Sequence, residues 1–289
     1  MLGLLDHGIA GKNHLTNDYA NNADDTYKVY FGLGHSLNLI NMPDVFKASL
    51  AGLRLGNYLV QSATRETLNN SFLDIGTGSG VHALLMRRLG NNDVNATDIS
   101  QESIAQAKIH ERINFKKGII NFSVSDLFES LTDRKFQTII FNPPGWRTPS
   151  SQLMQQLAMT PQSGQMPIRS MFYGEEVVSR FLEDLPKHLA PNGRAIVGLN
   201  SLVGIHDVLN RYNQRHNNIP PLKYKLVERH TFPLLYYTPQ WQLLRTSLRN
   251  EFENWARQHL ADYATDQCGN IYWSYEIIEF SHSTMWHPT

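Results

Sequence analysis

The chain has 289 residues, with 26 Lys+Arg against 26 Asp+Glu, 41% hydrophobic and 18% charged residues, 10% aromatics and one cysteine. A chain this long can bury roughly 75% of its unfolded surface as one large domain, or a domain with a cap. Zero formal charge removes the long-range pull of a dedicated nucleic-acid binder, and the lone Cys268 excludes a disulfide framework and a cysteine-based zinc site.

The opening MLGLLDHGIAGKNH lacks the charged and long apolar regions of a secretory signal. No window approaches the roughly 18 consecutive apolar residues of a spanning helix, so a cytoplasmic chain with no membrane partner is expected. Residues 1–43 are rich in Asn, Asp, Gly and Tyr, carry turn signals at Gly32, Gly34 and Pro43, and read as loop with short elements. From Asp44, which can cap a first turn, Val45, Leu50, Leu53 and Tyr58 follow at helix-like spacings and predict a helix over 44–63. Residues 1–70 are thus expected to be an N-terminal extension, helical or loop, covering the site, ahead of a main domain over 71–289.

Beyond residue 71, short apolar runs alternate with helical segments. Strands are predicted over 71–76, 93–98, 119–126, 136–142, 194–200, 225–232 and 271–280, with helices over 81–89, 101–115, 174–189 and 203–212. The expected fold class is α/β, a seven-stranded, mostly parallel sheet with helices on both faces. Two stretches exceed that minimum: 145–173 after the fourth strand, and an insertion over 236–270 between the last two strands. Both are expected to cover the site.

The first strand runs through Asp74 into Ile75-Gly76-Thr77-Gly78-Ser79-Gly80 and then into the apolar helix from Val81. Alternating glycines let the backbone turn tightly and approach a ligand beside the free N–H groups of a helix start. The dinucleotide fingerprint needs a glycine where Val81 stands, which weakens a dehydrogenase reading. Asp74 would repel a pyrophosphate and welcome an ammonium group. Asp98 ends the second strand, where a carboxylate can accept from two ribose hydroxyls. Asp126 ends the third strand, placed for an adenine amino group. The residues after those acids, Ile99 and Leu127, join the cofactor-binding candidates with Gly76, Thr77, Gly78 and Gly80.

With these residues in place, the sequence resembles the Rossmann-like S-adenosylmethionine-dependent methyltransferases, whose glycine motif is matched by LDIGTGSG. The resemblance covers about residues 71–200 and extends by strand pattern to about 280. It implies that Asp74 and the glycines hold the methionine part of S-adenosylmethionine, Asp98 the ribose and Asp126 the adenine.

The fourth strand ends in Asn142-Pro143-Pro144-Gly145-Trp146. Two prolines cannot continue a central strand, so the chain leaves the sheet in a fixed conformation. The Asn142 side-chain oxygen and the Pro143 carbonyl are acceptors that together can grip two hydrogens of a planar nitrogen. This is similar to the Asn-Pro-Pro-aromatic signature of amino- and amide-nitrogen methyltransferases, release-factor glutamine enzymes and nucleobase enzymes among them. Here Gly145 stands where the aromatic is usual, and Trp146 is the candidate to supply that ring. Asn142 is counted with both the catalytic and the cofactor-binding residues. Candidates to line an acceptor pocket are Tyr30, Phe31, His35, Met42, Trp146, Arg147, Tyr173, Tyr236, Tyr237 and Trp241.

The resulting expectation is methyl transfer from S-adenosylmethionine to an amino or amide nitrogen of a small molecule or protein. An RNA base acceptor is the less favoured alternative, and a non-catalytic cofactor-binding scaffold is the alternative of another class. The twelve histidines form no His-x-x-x-His pair, so no metal is expected. Lys223, Lys225, Arg229 and His230 read as a solvated face before an RNA-binding edge.

Overall fold

The computed structural model describes residues 9–10, 26–40, 45, 47–159, 168–236 and 239–283. Pro43, Asp44, Met42 and Tyr237, singled out above, lie outside them. The chain divides into two compact units, Met1–Ser130 and Leu131–Thr289.

In the first unit β1 (Ile9–Ala10), β2 (Thr26–Gly32) and β3 (His35–Ile40) form a small antiparallel sheet. Within the segment expected to be loop with short elements, residues 26–40 form a hairpin. The glycines that punctuate it, Gly32 and Gly34, flank the turn, while alternation buries Val29, Phe31, Leu37 and Leu39. Helix α1 (Leu50–Ser62) begins later than the predicted 44, because Ser49 is its cap and accepts from Gly52 N at 3.0 Å. A short α2 (Arg65–Leu68) precedes β4 (Phe72–Ile75).

There follow α3 (Val81–Leu89), β5 (Val94–Asp98), α4 (Gln101–Asn114) and β6 (Asn121–Val124). β4, β5 and β6 pair in parallel, with Asp74 opposite Ala96 and Asp98 opposite Val124. β6 is shorter than expected because Glu111 Oε1 takes the backbone N–H of Ile119 and Ile120, at 2.8 and 2.9 Å, before the ladder begins.

In the second unit β7 (Phe136–Phe141) runs parallel to β8 (Leu189–Asn200), with Phe141 opposite Val197. β11 (Ile271–His282) lies antiparallel on β8, β9 (Leu222–Pro233) lies antiparallel on β11, and the two-residue β10 (Ala264–Thr265) pairs with the start of β11. All seven predicted strands are therefore present, the first five parallel where they pair and the last two antiparallel. The α/β class holds.

The two elaborations of the second unit acquire structure of their own. α5 (Ser151–Met159) and a 3-10 turn (Ile168–Met171) lie in 145–173. α8 (Pro239–Leu243) and α9 (Arg245–Arg257) lie in 236–270. They pack on each other: the Trp146 ring is 5.2 Å from those of Phe172, Trp241 and Phe252, and Glu251 accepts from Ser150 N and Oγ at 2.7 Å each. α6 (Gly174–His188) and α7 (Ile205–Arg215) complete the unit. No described helix is long and apolar enough to cross a membrane.

Candidate active site

The first unit builds the glycine loop between β4 and α3. Gly76, Gly78 and Gly80 take φ of +61°, +54° and +83°, a left-handed region that residues with a Cβ avoid. Asp74 is only 1% exposed. Its Oδ2 accepts from Thr77 Oγ1 at 2.6 Å and Ala83 N at 3.1 Å, so the carboxylate clamps the loop onto the start of α3 from beneath. Burial pushes its pKa up, opposed by buried His82 and by these two donors.

Asp98 holds the loop from the neighbouring strand. Oδ2 accepts from Gly78 N at 2.7 Å and Oδ1 from Ser100 N at 2.9 Å. An ionised carboxylate offers about four lone-pair sites, so two remain for a ligand. Beside it Ile99 is 69% exposed, an apolar platform at a strand end. Ser125 N donates to Asp98 O at 2.9 Å, which ties the end of β6 to the end of β5. Asp126, half-buried, and Leu127, at φ +48°, shape the turn that follows. The acids read from the sequence thus stand at three successive strand ends.

These residues fit an adenosine-bearing ligand. A Cβ built on Gly78 meets nothing within 4 Å, so the loop presents open backbone, whereas a Cβ on Gly80 would stand 2.8 Å from Ala107 Cβ. Gly78 thus borders open space, and Gly80 lets two helices close. His110, unused in the sequence reading, braces the loop: Nε2 accepts from Ile40 N at 3.0 Å and Nδ1–H donates to Ser79 O at 2.8 Å.

The second unit builds the exit of β7. Asn142, Pro143 and Pro144 are half-buried. Asn142 Oδ1 accepts from Tyr275 Oη at 2.8 Å, a bond spanning β7 to β11. Tyr275 is 1% exposed, and burial drives its phenol pKa far up, so it remains a donor. Sequence reasoning missed this residue. Its signal was Gly198, a glycine inside a strand, which often marks close approach of another group; a Cβ there would collide with Tyr275 Oη.

Trp146 is 1% exposed, enclosed by Phe172, Trp241 and Phe252. Its ring anchors the exit, with Trp146 N donating to Met171 O at 2.7 Å and Trp146 O accepting from Gly174 N at 2.8 Å. Arg147 is also internal: Nη1 donates to Asp207 Oδ2 at 2.8 Å, Val203 O at 3.0 Å and Leu260 O at 3.2 Å. Trp241 is 1% exposed, whereas Tyr173 and Tyr236 keep part of their surface open. The basic cluster on β9 faces acids, with Lys225 at 2.9 Å from Glu279, Arg229 at 2.6 Å from Glu276 and His230 at 2.8 Å from Glu228.

Residues 36–162 match the family model described as the methyltransferase small domain. The fold is that of the T. thermophilus 16S rRNA methyltransferase solved with AdoMet and guanosine, with a TM-score of 0.53 at 15% identity over 90% of this chain and 50% of that one. Fold, loop and family match point to one class: residues 36–162 match a methyltransferase domain within a Rossmann-like fold, and the cofactor of that class is S-adenosylmethionine.

Within the class, the chain is similar to glutamine methyltransferases. A Methanocaldococcus jannaschii protein assigned as a protein N5-glutamine methyltransferase is 27% identical over 169 residues, 58% of this chain and 79% of that protein. The ribosomal protein uL3 glutamine methyltransferase of Xanthomonas campestris is 31% identical over 126 residues, 43% of this chain and 40% of that protein. The chain thus matches less than half the length of the latter relative.

Proposed function

We propose that this protein methylates the side-chain amide nitrogen of a glutamine in a protein substrate. The observation that carries the reading is the Asn142 amide oxygen, half-buried at the proline-fixed exit of β7, where it accepts from the Tyr275 hydroxyl. The likeness to glutamine methyltransferases supports the choice of amide over amine.

S-adenosylmethionine, when bound, supplies an electrophilic methyl on a sulfonium. Gly76, Thr77, Gly78 and Gly80 would line its methionine part, Asp98 would accept from the ribose hydroxyls, and Ile99, Asp126 and Leu127 would surround the adenine. Asp74 contributes by holding the loop. Asn142 Oδ1 and the Pro143 carbonyl each accept one N–H hydrogen of the acceptor amide, which turns the nitrogen lone pair outward and restrains rotation. Positioning of this kind is worth effective molarities of ~10⁵–10⁸ M, so a displacement with a good leaving group needs no strong base. The methylated nitrogen sheds one proton, and the amide regains neutrality. Trp146 and Arg147 serve as anchors of the exit and keep Asn142 and Pro143 in register.

Methyl-tritiated S-adenosylmethionine incubated with the protein and a mixture of ribosomal proteins, translation factors and rRNA tests the reading. Label should enter a protease-sensitive fraction, and acid hydrolysis should release it as methylamine. Label confined to RNA sinks the glutamine assignment, and no transfer to any fraction favours the scaffold alternative. Asn142→Ala should lower turnover by at least ~10², with cofactor affinity reduced less.

A further inference from the structure

We infer that Tyr275 is a positioning residue for methyl transfer: by donating its phenol proton to Asn142 Oδ1, it holds the Asn142 amide with oxygen, and not Nδ2, presented to the acceptor nitrogen. The inference rests on Asn142 being the group that grips the acceptor.

A primary amide is ambiguous. One end accepts and the other donates, and a half-turn about the last side-chain bond exchanges them. An Asn142 presenting Nδ2 would set a donor against the N–H hydrogens of the acceptor and point its lone pair the wrong way. Something must choose the orientation before the acceptor arrives, and the choice has to survive in a half-buried, proline-fixed loop.

The three strands of the second unit explain how the choice is made. β8 lies between β7 and β11, and Tyr275 is paired with Asn200 in its ladder. To reach the end of β7, the Tyr275 side chain must cross β8. It does so over Gly198, two residues before Asn200 on the same strand, where the missing side chain leaves the crossing open. The hydroxyl arrives 2.8 Å from Asn142 Oδ1. If the amide turned over, the phenol could accept from Nδ2, but the proton of a side chain only 1% exposed would lose this acceptor. Burial also keeps that proton on the phenol, so the bond is not titrated away.

Tyr275→Phe keeps the ring in place and removes only the hydroxyl. In the full-length protein it should leave melting temperature and S-adenosylmethionine affinity close to the parent, while kcat for whichever acceptor the labelling assay identifies falls ~10–100-fold and KM moves little. A carboxylate has two equivalent oxygens and no wrong orientation. In an Asn142→Asp background the further change Tyr275→Phe should therefore cost less than ~3-fold, a coupling that a merely structural tyrosine would not show. A substrate-free readout stands beside the kinetics: with isotope-labelled asparagine, the Asn142 side-chain amide resonances should shift and exchange faster with solvent in Tyr275→Phe. Full turnover in Tyr275→Phe, an equal penalty in both backgrounds, or unchanged Asn142 amide resonances would each overturn the inference. If no acceptor is labelled, the glutamine reading fails by itself, and the resonances alone decide whether Tyr275 orients the amide.

Discussion

Asn200 lies against Gly145, so that a Cβ on the glycine would stand 2.8 Å from Asn200 Nδ2 and 3.2 Å from Asn200 Cβ. Asn200 cannot swing away freely, because its Oδ1 accepts from Leu202 N at 2.9 Å and caps the turn that ends β8. The absence of an aromatic after Asn-Pro-Pro thus has a steric cause. Gly145→Ala should destabilise the protein by ~1–3 kcal/mol, the usual cost of forcing atoms into a packed site. Denaturant midpoints measure it, and a variant as stable as the parent would mean that Asn200 yields.

Two glycines of the same loop should respond differently. Gly80→Ala meets Ala107 Cβ at 2.8 Å as well as a left-handed φ, so stability should fall. Gly78→Ala meets open space and carries only the left-handed penalty of ~1–2 kcal/mol, but its methyl enters the volume assigned to the cofactor. Calorimetry with S-adenosylmethionine should therefore find Gly78→Ala the more defective in affinity for its loss of stability. Equal affinity in Gly78→Ala and the parent would move the ligand elsewhere.

Asp98→Ala removes the acceptor of Gly78 N and Ser100 N together with the proposed ribose contact. Hydrogen bonds to a charged group contribute ~1.5–3 kcal/mol each, so cofactor affinity should drop by at least ~10-fold. Unchanged affinity by titration calorimetry would refute the ribose role.

His110 should give the fold an acid-side weakness. Burial holds its pKa below the ordinary value, and Nε2, which accepts from Ile40 N, cannot take a proton without losing that bond. As pH falls below ~6.5 the unfolded chain takes up a proton that the folded chain resists, so stability is full above that pH and declines beneath it. Asp98, whose pKa burial raises, works in the other direction: above ~3.9 the unfolded chain sheds its proton first, and stability declines as pH rises toward the folded value. Comparing unfolding free energy against pH in the parent and His110→Gln isolates the first effect. The difference between the two should narrow as pH falls below ~6.5. A difference that stays constant across that range would count against the assignment.

The amino-acid sequence by itself determined the order of strands and helices from residue 71, the glycine loop after Asp74, the acids Asp98 and Asp126 at successive strand ends, and the Asn142-Pro143-Pro144 exit. Each of these is written locally, in a period of two or 3.6 residues, in the steric freedom of glycine or in the missing N–H of proline. The hairpin over 26–40 escaped because Gly32 and Gly34 read as loop punctuation when they flank a turn between strands. Only the tertiary structure decided that Asp74 is sealed beneath the loop, that Trp146 is enclosed by Phe172, Trp241 and Phe252, and that Tyr275 crosses Gly198 to Asn142. That last bond joins residues 133 positions apart. Burial and hydrogen-bond partnership at such a separation depend on how β7, β8 and β11 come to lie side by side, and no local pattern encodes which side chains then meet.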